Sequence, residues 1–166
     1  MTVTITPRST LVVPHSTDPV AELLERDRVV SAITDLCVAT DRRDWPAVER
    51  CFASHVHFDM SSAGGGTAAE RTPAEIAAGW REGLAGVEHV HHQMGNFRVR
   101  VLGTRAEAAC HGVAWHHKAR RDGRNTRVFV GDYEFELEKE SGGWHITAMR
   151  FNLKFVDGNP ALESPE

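Results

Sequence analysis

Apolar positions along the first part of the chain recur at three- and four-residue steps. Leu23, Leu24, Val30, Ile33, Thr34 and Cys37 keep this rhythm, which predicts one long amphipathic helix. Pro19 suits its first turn and Asp18 its N-cap. Asp41 continues the apolar stripe one turn beyond Cys37. Asp44 can cap a second, short helix with Val48, Cys51 and Phe52 on its inner side. Between His55 and Met60 the pattern becomes strict alternation, with Val56 and Phe58 on one face, as a strand requires. Thr72-Pro73-Ala74-Glu75 has the form of a capping box and opens a third helix through Ile76, Trp80 and Leu84, ending near Gly86.

Beyond that point the pattern predicts strands over 87–101, 106–119, 127–139 and 144–156. Leu102-Gly103-Thr104, Asp122-Gly123-Arg124-Asn125 and Ser141-Gly142-Gly143 separate them as turns, which favours sequential antiparallel pairing. Helices first and a meander afterwards predict an α+β fold in which a curved sheet wraps the helices. The 166 residues are expected to form one domain, 19–157, between an N-terminal arm (1–18, rich in Thr, Ser and Pro) and a short tail (158–166).

Composition narrows the function classes. Hydrophobic content of 41% and charged content of 25% are those of an ordinary globular protein. A net charge of -4 lacks the basic footprint of a nucleic-acid binder. The run Lys118, Arg120, Arg121, Arg124, Arg127 surrounds a turn and reads as a solvated hairpin tip. Three cysteines without ligand-type spacing read as free thiols in a reducing compartment, hence a cytoplasmic protein. Leu11-Val12-Val13 is too short for a signal core and is broken by Pro14, so no membrane association is expected.

Candidate chemistry begins with Asp41. A carboxylate on an apolar stripe needs a partner, because burying an unpaired charge is very costly, although Asp also suits the helix end as a simple turn former. Imidazole is the partner best fitted to move protons near neutral pH, and His92 and His117 lie in strand-like segments. In 106–119 the bulkier face (His111, Val113, Trp115, His117) reads as the pocket wall. The small face (Cys110, Gly112, Ala114, with His116) reads as a contact with another layer or subunit. Tyr133 shares a face with Phe129, Gly131, Phe135 and Leu137 and could offer a hydroxyl among apolar neighbours. Met60, Trp80, Trp115, Phe129 and Phe151 are the expected substrate-binding lining. Ten histidines raise the question of a metal, but no HExxH or CxxC spacing supports one, and none is expected. No GxSxG elbow marks a nucleophile, and Gly64-Gly65-Gly66 lacks the lysine and strand-to-helix context of a phosphate cradle.

Asp41-Arg42-Arg43-Asp44-Trp45 with Val48 and Cys51-Phe52, His91-His92-Gln93-Met94-Gly95-Asn96, Cys110 to Arg120, and Gly142-Gly143-Trp144 together resemble segments of the SnoaL-like proteins and scytalone dehydratases. These belong to the nuclear-transport-factor-two-like superfamily, and the resemblance spans about residues 20 to 157. It implies a cone-shaped α+β domain whose N-terminal helices pack into a strongly curved, mostly antiparallel sheet. It also implies an Asp41–His92 dyad, with His117 at the place of a further dehydratase histidine. Thr40 and Met60 stand where scytalone dehydratase has two water-positioning tyrosines; Tyr133 and Gly131 replace a pocket asparagine and serine. The proton-transfer core is thus kept while the recognition groups differ.

The function expected on these grounds is a lyase (dehydratase-like) or isomerase without cofactor. His92 would take a proton from a small hydrophobic, cyclic or polyketide-like substrate, with His117 or Tyr133 assisting. Two alternatives stay open. One is a polyketide cyclase or ketosteroid-isomerase-like enzyme with the carboxylate as base; the other is a non-catalytic binding module. The resemblance further implies a homo-oligomer, dimer or trimer, paired through the outer sheet face.

Overall fold

The computed structural model describes residues 18–121 and 123–164; most of the predicted N-terminal arm and the last two tail residues lie outside them. Helix α1 (Pro19–Asp41) leads to α2 (Trp45–Arg50), β1 (Phe52–Asp59), a 3-10 turn (Ser61–Ala63), β2 (Ala69–Arg71) and α3 (Pro73–Gly83). Four long strands complete the chain: β3 (His89–Leu102), β4 (Arg105–His117), β5 (Thr126–Glu140) and β6 (Gly143–Gly158). They form one six-stranded sheet in the order β2-β1-β6-β5-β4-β3. Neighbours are antiparallel except β1 and β6, which run parallel. This is the α+β architecture that the pattern predicts and the cone-shaped domain that the resemblance implies.

Local chemistry sets the boundaries. Asp18 and Asp44 accept backbone N–H groups at the starts of α1 and α2, each with a proline in the first turn. Thr72 and Glu75 complete a reciprocal capping box on α3. Two boundaries differ from the sequence reading. Phe52 opens β1 instead of closing the second helix, and the glycine-rich stretch contains β2, which pairs with β1 from Val56 to Phe58. Register breaks between Gly95 and Arg98, Val130 and Gly131, and Glu136 and Leu137 bend the long strands. Asn96 takes a positive φ of 55° at the first of these. The sheet curls around the second half of α1, where Val29, Ile33, Leu36 and Thr40 are buried. Leu23 and Leu24, predicted on the stripe, are exposed, because the first turns of α1 lie outside the main core.

One face assignment is reversed. Ala106, Ala108, Cys110, Gly112 and Ala114 of β4 face inward, and His111 faces solvent. The predicted pocket wall of His111, Val113, Trp115 and His117 is therefore the other side of the strand, and the small residues are not available to another subunit. The physical reason is space. A side chain at Gly112 would lie 2.4 Å from the Tyr133 ring, and one at Gly131 would lie 2.5 Å from both the Phe151 ring and the Asn152 carbonyl oxygen. The curled sheet has room for large rings only where the opposing positions are bare.

Residues after β6 are built into the fold up to Ser164. Leu162 is fully buried against Val87 and Val90, and Arg127 is ion-paired with Glu163. Gly131→Ala tests the packing constraint. Its methyl group must displace backbone as well as the Phe151 ring, so the expected cost is about 1–3 kcal/mol, measurable by chemical denaturation followed by circular dichroism.

Candidate active site

The buried stripe of α1 sets the position of Asp41, since each residue a turn further along falls on the same face. Arg42 ends the helix, and Arg43 turns the chain with a positive φ of 56°. The Arg43 guanidinium donates to the carbonyls of Leu84 and Val87, tying the end of α1 to the segment that enters β3. Asp41 is thereby placed beside His92 of β3. Its carboxylate accepts the His92 backbone N–H at 2.9 Å and contacts the ring Nδ1 at 2.6 Å. Both side chains are largely covered, at 18% and 16% exposure. An ionised carboxylate can only accept, so Nδ1 carries the hydrogen and Nε2 is left as the basic nitrogen.

His92 lines a cavity of about 450 Å³ between α1, α3 and the inner face of the sheet. Met60, Trp80, Phe129, Tyr133 and Phe151 line it too. Asp41 is not among the lining residues, so the imidazole stands between the carboxylate and the cavity. The rest of the wall is mainly apolar, with Thr40 of α1 and, from β2 and the residues around it, Thr67, Arg71 and Glu75 as polar exceptions.

Two nominated residues lie elsewhere. Trp115 is absent from the lining and packs its ring 5.8 Å from that of His91. His117 is on the same side of β4 as Trp115, with Nδ1 3.8 Å from Glu88 and its ring 5.8 Å from His89. The histidine of β4 that does line the cavity is His116. Its ring lies 5.0 Å from Phe129, and its Nδ1 is buried without a hydrogen-bond partner among the described residues. The missed signal was its membership of the small face: Gly112 and Ala114 leave the volume into which a third residue of that face points.

Burial differentiates these groups electrostatically. His116 is held down to about 4, first by desolvation, then by the Arg127 charge and that of His92. It is therefore neutral at physiological pH. Desolvation pushes the Tyr133 hydroxyl above the usual phenol range, so it remains a protonated donor. The Cys37 thiol, also on the cavity wall, is raised to about 12 by burial and then by Asp41. A thiol so far from its thiolate is a packing group and not a nucleophile. The site thus offers one carboxylate-backed imidazole, one neutral imidazole and one neutral phenol around an apolar chamber. Among the described residues no helix is long and apolar enough to cross a membrane.

Solved structures of similar shape are numerous. A Kribbella flavida protein, Kfla4162, superposes with a TM-score of 0.80 at 18% identity, covering 87% of this chain and 99% of its own. A putative scytalone dehydratase from Novosphingobium aromaticivorans gives 0.71 at 13% identity, covering 86% and 92%. The hexachlorocyclohexane dehydrochlorinase LinA-type3 from Novosphingobium barchaimii LL02 gives 0.70 at 10% identity, covering 86% and 95%. Identities this low establish the shared fold. No curated protein matches the chain in sequence. The profile of the SnoaL-like domain matches residues 21–150, most of the described fold and both members of the Asp41–His92 pair, and the chain belongs to the SnoaL-like domain family.

Proposed function

We propose that this protein is a lyase or isomerase working by proton transfer, with no cofactor in the chemistry, on a small hydrophobic substrate held in the cavity. The observation that carries the reading is the 2.6 Å contact between Asp41 and the Nδ1 of a histidine that lines an apolar chamber. Asp41 fixes the His92 tautomer and stabilises the imidazolium formed when Nε2 takes a proton from carbon. His116 and Tyr133, both uncharged, supply hydrogen-bond donors for the oxyanion or departing group. In this scheme His116 has the assisting part that the resemblance assigned to His117. The fold shared with a putative dehydratase and a dehydrochlorinase is in keeping with elimination chemistry, since both reactions remove a proton beside a leaving group.

The position of Asp41 behind the imidazole argues against the carboxylate as the direct base. The apolar lining favours a cyclic, carbon-rich substrate, and the carbon–hydrogen bond to be broken would lie beside a carbonyl or a leaving group.

Apolar cyclic ketones in D₂O provide an assay that needs no natural substrate. Exchange of α-hydrogens, followed by proton NMR, should be catalysed by the native protein. His92→Ala and Asp41→Asn should lower the rate by about 10²–10⁴-fold while the circular dichroism spectrum is retained. Equal rates in all three proteins would end the dyad reading, whereas ketone binding without exchange would favour a binding module.

His116 generates a separate expectation for stability. Its folded-state value of about 4 lies below the ordinary histidine value of 6.5, so between these limits the unfolded chain binds a proton that the native protein does not. This part of the stability is present above pH 6.5 and is lost as pH falls toward 4. His116→Gln should flatten the decline in unfolding free energy across that window, measured by urea denaturation at a series of pH values.

A further inference from the structure

Successive residues of a strand face opposite sides, so His92 faces the cavity and His91 faces outward. The two side chains differ accordingly in exposure, 16% against 72%. Yet both rings reach one carboxylate, because β3 is the edge strand and Asp41 lies beside it. Oδ1 of Asp41 is 2.6 Å from Nδ1 of His92, and Oδ2 is 3.6 Å from Nδ1 of His91. Among the described residues these are the two ion-pair contacts of Asp41. His91 is also directed from across the ladder. Trp115 is its register partner on β4, and their rings lie 5.8 Å apart at 33°.

We propose that His91 is a positioning residue that sets, from the solvent side, how much of the Asp41 charge is available to His92. The proposal rests on the reading of Asp41 and His92 as the proton-transfer pair. Imidazole exists either as a neutral ring or as a cation, so the carboxylate faces a second partner of variable charge. As a cation His91 draws on Oδ2 and repels a second positive charge on His92, which weakens the support for the imidazolium. As a neutral ring it leaves the carboxylate to His92. The support that the carboxylate gives to His92 is then set in part by a residue that never touches substrate.

Other charged or titratable groups surround the pair. Arg43 bonds the backbone before β3, Glu88 and His117 lie 3.8 Å apart on the outer side with His89 against His117, and His116 faces His92 from the cavity. None of these contacts is made by the His91 side chain.

The test is an NMR titration of the His92 ring in the native protein, His91→Phe and His91→Lys. Phe keeps a ring against Trp115 without charge; Lys supplies a cation at every pH of interest. The native protein sets the reference for the His92 ring signals. His91→Phe should show a single step at higher pH, and His91→Lys one at lower pH, with circular dichroism unchanged. The acid limb of ketone exchange should move in the same order. Coincident His92 titrations in the three proteins would overturn the proposal. Because the ring signals need no turnover, ordered shifts together with full activity in Asp41→Asn would retain the coupling and remove only the catalytic reading.

Discussion

The covered carboxylate of Asp41 imposes more on this fold than any other single group. It sits at the C-terminal end of a 23-residue helix, where the backbone already presents partial negative charge. A carboxylate there is unfavourable unless donors converge on it, and β3 brings both a backbone N–H and an imidazole to the same two oxygens. The convergence in turn requires the end of α1 to be fixed against the start of β3, which the Arg43 contacts with Leu84 and Val87 accomplish. Helix end and carboxylate then act in one direction, since each favours positive charge on the facing ring. The strain of placing an acid at a helix C-terminus becomes, on the proposed chemistry, the means of stabilising an imidazolium.

A second constraint is volume. A chamber inside a small domain exists only where side chains are withheld, because interiors otherwise close to crystal-like density. Here Gly112 and Ala114 of β4 and Gly131 of β5 are withheld, and the rings of Tyr133 and Phe151 lie against the bare backbone. Register breaks in β3–β4 and β5–β6 give the strands the bend that opens the inner face. Chamber and dyad are therefore produced by the same strands, with His92 at the edge and His116 one strand further in.

The caps at Asp18, Asp44 and Thr72 were legible in the sequence because each is a local hydrogen bond between near neighbours. So was the strand meander, since Gly103, Gly123 and Gly143 all take the positive φ that its turns require. Asp41 could be nominated because its position on the stripe of α1 is a local property. Its partner is 51 residues away; residue type offered both His92 and His117, and the resemblance to a family singled out His92. The inner face of β4 was not legible. Both faces of that strand mix apolar and ionisable residues, so alternation defines two sides without saying which is buried. Bulk was the wrong guide, because a cavity is lined by what leaves room. Trp115 and His117 lie on the outer side, where their rings contact those of His91 and His89.

The environments of the polar groups around the chamber bear on which chemistry suits it. Two imidazoles in one cavity would compete for the same role if their surroundings matched, but one is backed by a carboxylate and the other lies beside Phe129 and the Arg127 charge. On the proposed chemistry, environment separates a base from a neutral donor, as paired titratable groups at proton-transfer sites commonly require. A neutral imidazole and a buried phenol are poor reservoirs of free protons, yet both can donate to negative charge as it develops. Such a set favours a reaction whose difficult step is carbon–hydrogen cleavage with charge building on an adjacent oxygen. It is less suited to one that begins by protonating a leaving group. The apolar wall sharpens this preference, because low polarity strengthens each donor toward an oxyanion while raising the cost of any charge without a partner.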